Sequence, residues 1–178
     1  MAAPESTSLF VQYQPLIQVV LGGALTFFGG YIGTKLVEER KNKRDAKSLA
    51  YAFRGELLAI RTIVNEREYF AFLERAIEYI KTTNQPWAIR VNIRQKYFNV
   101  FEKNVDKLGL LPTPLPEKIA TFYTQANSIL EDIQTANEGG LSDSAEIQLR
   151  AYEQLHALLF KTMKLVDEIV QEVERAFD

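Results

Sequence analysis

The chain has 178 residues, about one domain with an appendage. At 47% hydrophobic and 25% charged it has the composition of a folded protein rather than a disordered one. A formal net charge of −2 gives no bulk drive toward nucleic acid, and zero cysteines with one histidine exclude disulfide frameworks, zinc clusters and Cys–His nucleophiles.

In chain order, the first informative stretch is LIQVVLGGALTFFGGYIGT at 16–34, nineteen residues without a charge. As a helix it is roughly 28 Å long, close to the hydrocarbon thickness of a bilayer. Five of the nine glycines lie between Gly22 and Gly33, as membrane helices tolerate. Pro15 suits a first helical turn, and Tyr13 and Tyr31 sit at the expected headgroup levels. A buried core helix is the alternative. A cleaved signal peptide fits poorly, because no Lys or Arg precedes the run and EERKNKRDAK follows it. The pattern predicts a single membrane span. Its orientation follows from Lys35, Arg40, Lys41, Lys43, Arg44 and Lys47, all placed after it: N-terminus outside, remainder cytoplasmic. These six residues are also expected to contact anionic lipid.

Within the span, Gly22, Thr26, Gly30 and Thr34 recur every four residues, and Gly29 and Gly33 form a GxxxG pair beside them. Small residues allow close helix approach in lipid, so this face predicts association of membrane helices, as a homodimer or, in the alternative, against another protein's span. The same glycines are no phosphate loop, since neither the full Gly-x-Gly-x-x-Gly nor a Lys-Ser/Thr ending is present.

After the span the sequence predicts a helical stalk over 35–48. An amphipathic helix follows, with Phe53, Leu57, Ile60 and Val64 on one stripe and Phe70, Leu73, Ile77 and Ile80 continuing it up to TTNQP. WAIRVNIR at 87–94 alternates with period two and predicts an extended connector, with a helix extension as the alternative. A helix is expected from about 95 to 108 with Phe98, Phe101, Val105 and Leu108 inward, closed by a left-handed Gly109 and by Pro112. The next opens at Pro116 and Glu117 and buries Ile119, Phe122, Tyr123, Ala126, Ile129, Leu130 and Ile133. Asp143 with Glu146 reads as a capping box for a last helix that carries Leu155, Leu158, Leu159, Leu165, Val166, Ile169, Val170 and Val173.

The fold class is therefore all-α: one N-terminal transmembrane helix continuing into a cytoplasmic antiparallel bundle. The expected organisation is an extracytoplasmic tail 1–15, a span 16–34, a basic juxtamembrane stalk 35–48 and a bundle 49–178. The last helix should pack along the helix holding Phe53 and Val64.

Chemistry-bearing patterns are few. Glu153 and His156 have the Glu-x-x-His spacing of carboxylate-bridged metal bundles, but the second histidine such sites need does not exist in this chain. Arg90, Arg94 and Lys96 beside Trp87 and Tyr97 could face nucleic acid or anionic lipid; without a nucleic-acid module the simpler reading is solvated arginines over core aromatics. Residues 1–112 hold 16 basic and 11 acidic side chains, and the remainder 5 and 12, a polarity suited to an anionic leaflet.

Tyr97, Val100, Phe101, Glu102, Asn104, Leu108, Gly109, Leu110 and Leu111, followed by Pro116, Ile119, Phe122 and Tyr123, form a pattern. It resembles bacterial single-pass inner-membrane helical proteins that carry a Phe-Glu-x-Asn-x-x-x-Leu-Gly-Leu-Leu segment. The resemblance implies a bacterial inner-membrane setting and brings no activity with it. Glu102 and Asn104 are expected to lock this helix–turn–helix. No catalytic, metal or cofactor residues are expected, nor a nucleic-acid partner. The expected function is a non-enzymatic, membrane-anchored adaptor with membrane lipid and a protein as partners. The alternative is a subunit that signals across the membrane through its stalk.

Overall fold

The computed structural model describes residues 7–88, 97–140 and 143–177; of residues 7–29 and Ile32 it describes only the helical backbone. Among the described residues every regular element is helical: α1 (Thr7–Glu66), α2 (Tyr69–Thr83), α3 (Asn99–Asn104), a 3-10 turn (Val105–Leu110), α4 (Leu115–Asn137) and α5 (Ala145–Phe177). Two compact units divide the chain, Met1–Asp45 and Ala46–Asp178. In the first, every described side chain over 30–45 is exposed.

The second unit is a bundle organised around α5. Arg54 pairs with Glu174 at 2.8 Å, and Arg61 pairs with Asp167. Seven residues forward on α1 thus correspond to seven back on α5, which makes the two antiparallel. On α2, Glu74 meets His156 and Lys81 meets Glu153, again in opposite order. α4 does the same through Lys118 to Glu168 and Gln125 to Thr162. Hence α1 from Ala46 onward and then α2 follow one another along α5, while α4 runs beside them in the same direction. The chain between α2 and α4 must travel back along the bundle. The Trp87 N–H donates to Gln148 Oε1 at 2.8 Å and its carbonyl accepts from Tyr152, near the start of α5. By Val100 the chain has reached Glu56, deep in α1.

The apolar stripes meet in two clusters. One joins Leu49, Phe53 and Leu57 of α1 to Ile119, Phe122 and Tyr123 of α4 and Val166, Ile169 and Val173 of α5. The other joins Val64 to Leu73, Ala76 and Ile80 of α2, Ile129 of α4, and Tyr152, Leu155 and Leu159 of α5. Each fully buried Leu, Ile, Val or Phe stabilises the fold by about 1.5–3 kcal/mol. The expected contact between α5 and the Phe53–Val64 stripe is present, although Leu158 and Leu165 are only half-buried.

Several expectations need correction. The stripe through Phe53 and Ile80 is not one helix: Arg67 and Glu68 form a turn, with Glu68 at φ 52°. The stripe skips a turn here, since after Val64 the next inward positions are Arg67 and Glu68. The helix expected over 95–108 is α only to Asn104 and then tightens to a 3-10 turn. Three residues per turn rotate Val105 outward, where it is half exposed. Gly109 lies inside that turn without a positive φ; the left-handed glycine is Gly139, at φ 77°, ending α4. At neighbouring Gly140 a Cβ would lie 2.7 Å from the Thr135 methyl, so a side chain does not fit. α5 begins at Ala145, and Ser144 rather than Asp143 accepts its first backbone bond, from Gln148. Glu146 binds Arg150 at 2.6 Å. Of the connector 87–94, only Trp87 and Ala88 are described; they are irregular, and the rest lies outside the described residues, as do Arg90, Arg94 and Lys96.

Among the described residues, no helix is long and apolar enough to cross a membrane, so the structure lends the expected anchor no support. Most of 16–34 lies outside the described side chains.

Candidate functional site

Of the residues expected to associate membrane helices, Gly22, Thr26 and Gly29 lie outside the described side chains. Gly30, Gly33 and Thr34 are exposed, and a Cβ at either glycine would meet nothing within 4 Å. The Thr34 hydroxyl donates to the Gly30 carbonyl at 2.9 Å, within its own helix. Lys35, Arg40, Lys41, Lys43 and Arg44 are all exposed. Lys47 is engaged differently: its Nζ donates to the Phe177 carbonyl at 2.7 Å and lies 5.5 Å from the Tyr51 ring. A cation at the C-terminal end of α5 suits the helix dipole there.

The polar centre of the bundle is Glu56, which sequence reasoning passed over. Its carboxylate accepts from the Val100 N–H at 2.7 Å, the Phe101 N–H at 3.3 Å and the Tyr123 hydroxyl. Burial, then the hydrogen bond and charge of Glu56, push the Tyr123 phenol well above its ordinary pKa. Phe101 stacks on the Tyr123 ring at 4.0 Å, with Phe98 and Phe122 edge-on. Glu56, rather than Glu102 or Asn104, joins the return segment to the bundle. Glu102 is exposed, and Asn104 donates to Val100 only four residues back. In the sequence Glu56 is only a carboxylate three residues after Phe53, on the edge of an apolar stripe.

Where the two clusters meet, the helices leave a cavity of about 90 Å³. Ile60 and Val64 of α1, Phe72 of α2, Ile129 of α4 and Leu159 and Met163 of α5 are among its walls. The break between α1 and α2 lies on its rim, and Tyr69 and Tyr97 belong to its lining. Thr162 also lines it, but its hydroxyl is taken up by Leu158 O and Gln125 Oε1. Arg67 Nη1 donates to the Tyr69 hydroxyl at 3.2 Å; that bond, the charge of the same ring and Tyr97 alongside raise the guanidinium pKa above its ordinary value. Arg67 stands outside the lining, and the surface of the cavity is almost wholly apolar.

No protein-family model, curated protein or solved structure matches this chain. The likeness over 97–123 therefore assigns no family.

The remaining chemistry-bearing candidates are structural. Glu153 is held by Lys81 at 2.7 Å rather than turned to a metal with His156. His156 is largely buried between α5 and α2, with its Nε2 3.4 Å from Glu74 Oε1 and the Phe70 ring edge-on at 5.5 Å. No hydrogen bond forms across that distance, and Nε2 has no other hydrogen-bond partner. Among the described residues, no three His, Asp or Glu side chains gather as metal ligands.

Proposed function

We propose that this protein is a membrane-anchored helical adaptor: α1 crosses a bilayer over 16–34, and the bundle serves as a docking module for another protein on the basic, cytoplasmic side. The observation that carries the reading is the uncharged run followed by six basic residues, on a backbone that is helical throughout 7–66. An uncharged nineteen-residue helix needs cover, and lipid supplies it without a partner fold. The exposed Lys35, Arg40, Lys41, Lys43 and Arg44 then stand at headgroup level and favour anionic lipid.

The small-residue face supports a homodimer within that reading. Because a Cβ at Gly30 or Gly33 meets nothing in its own chain, a bulky residue there leaves the protomer intact and disturbs only a neighbour. Gly30→Ile and Gly33→Ile are expected to lower association in a membrane-helix reporter, and Leu21→Ile is expected to leave it unchanged. Equal signals from all three would remove the homodimer. The anchor itself is tested by cell fractionation: the full chain should stay with membranes through alkaline carbonate extraction. Recovery in the supernatant would overturn the anchor.

A further inference from the structure

The small-residue face of α1 does not stop at Thr34. Gly30, Gly33, Val37, Arg40 and Arg44 follow one another at spacings of three, four, three and four, on a backbone that is one continuous helix. That alternation keeps all five positions on one side, the register by which paired helices meet. All five are exposed, Val37 at 67%. The face changes character along its length, small within the uncharged run and cationic beyond it. At about 100° per residue, Glu38, Glu39 and Asp45 lie about 100° or more from the centre of this face, while Lys41 flanks it. Among the described residues, none forms an ion pair or a hydrogen bond with the side chains of Arg40, Lys41 or Arg44.

We propose that this face couples the association of two copies to anionic lipid: headgroups bind between the paired Arg40 and Arg44 side chains, and without them the copies separate. The inference rests on the anchored homodimer proposed above. Two copies that meet in parallel across Gly30 and Gly33 bring both Arg40 and both Arg44 side chains into one seam, with Lys41 at its edge. Like charges so placed repel one another, and no carboxylate shares that side of the helix to offset them. An anionic phospholipid supplies the missing charge. Arg40 stands about 9 Å along the helix past Thr34, the end of the uncharged run, within reach of the headgroup layer for a long side chain that extends back toward it. The guanidinium fork binds phosphate through paired donors. A zwitterionic lipid carries its own cation beside the phosphate, so a net negative headgroup is what the seam selects.

The test is fluorescence energy transfer between donor- and acceptor-labelled pools of the full chain in vesicles. Each pool is labelled at Lys103→Cys, an exposed position in a chain with no other cysteine. One vesicle is phosphatidylcholine alone; the other is equal parts phosphatidylcholine and phosphatidylglycerol. Association should be about tenfold tighter in the second. The double variant Arg40→Gln, Arg44→Gln should associate in phosphatidylcholine alone as tightly as the unaltered chain does with phosphatidylglycerol, and should no longer respond to that lipid. Both positions are exposed, so the exchange leaves the bundle intact. Equal transfer by the unaltered chain in the two vesicles, or a double variant that gains nothing in phosphatidylcholine, would overturn the coupling. Inorganic phosphate that restored transfer in phosphatidylcholine would assign the seam to a soluble anion and overturn the lipid. Two further results bear on the reading beneath: membrane-bound protein without transfer in either vesicle would remove the homodimer, and protein that sediments with neither vesicle would remove the anchor, and the proposal falls with either.

Discussion

Glu56 shows how one side chain can hold a long return segment in register. Three donors converge on it: two from the backbone at Val100 and Phe101 and one from Tyr123. Glu56→Ala leaves those groups without their acceptor in a half-buried site and should cost about 2–4 kcal/mol. Urea unfolding read by circular dichroism checks it. Tyr123→Phe should cost less, about 1–3 kcal/mol, because it removes one donor and keeps the ring stack. The pH dependence has a definite sign. The folded phenol has a raised pKa, so the native state keeps its proton where the unfolded chain releases it. Its contribution is complete below the ordinary value of 10.0 and is lost as the pH climbs above it. Melting temperature should therefore fall less steeply between pH 9 and 11 in Tyr123→Phe than in the unaltered protein. Parallel curves would show that this phenol does not contribute. None of this was readable from the sequence, because a carboxylate beside an apolar stripe looks the same whether water or a returning loop satisfies it.

For the helices, periodicity carried far. The inward face of α4 was legible almost residue by residue from spacings of three and four, whereas on α5 the buried Gln148, Tyr152 and Thr162 were not expected and Leu158, Leu165 and Val170 are only half-buried. Period alone did not show the break at Glu68, for no Gly or Pro marks it, nor the 3-10 turn, whose tighter winding moved Val105 outward. The break yields its own expectation. A non-glycine residue at φ 52° is strained, and Glu68→Gly should raise stability by about 0.5–1 kcal/mol. Loss of stability there would mean that the Glu68 side chain contributes more than its backbone costs. On α5 the burden falls on Val166 and Ile169, both fully buried, rather than on half-buried Leu158 and Leu165. Val166→Asp or Ile169→Asp should unfold the bundle, a carboxylate without a partner there costing several kcal/mol out of a typical ~5–15. Retention of full helicity and melting temperature would contradict the packing of α5 on α1 and α4. The ion pairs along α5 set direction more than stability, since exposed pairs contribute about 0–1 kcal/mol each.

At the scale of the whole molecule the sequence speaks where the described structure is silent. The uncharged run and its basic flank are features of composition, legible without any fold, whereas the cavity depends on how four helices meet and leaves no trace in the pattern of any one of them. A bundle with two core clusters explains why 46–178 folds as a unit; it does not explain nineteen uncharged residues ahead of five exposed basic ones. A membrane does. The most direct test is topology in a bacterial cell: alkaline phosphatase, which is active only outside the cytoplasm, and a fluorescent protein active within it, each fused after Asp178. Strong fluorescence with inactive phosphatase, both in the membrane fraction, is the expected result. Active phosphatase, or fluorescence wholly in the unsedimented fraction, would contradict a bundle anchored on the cytoplasmic face.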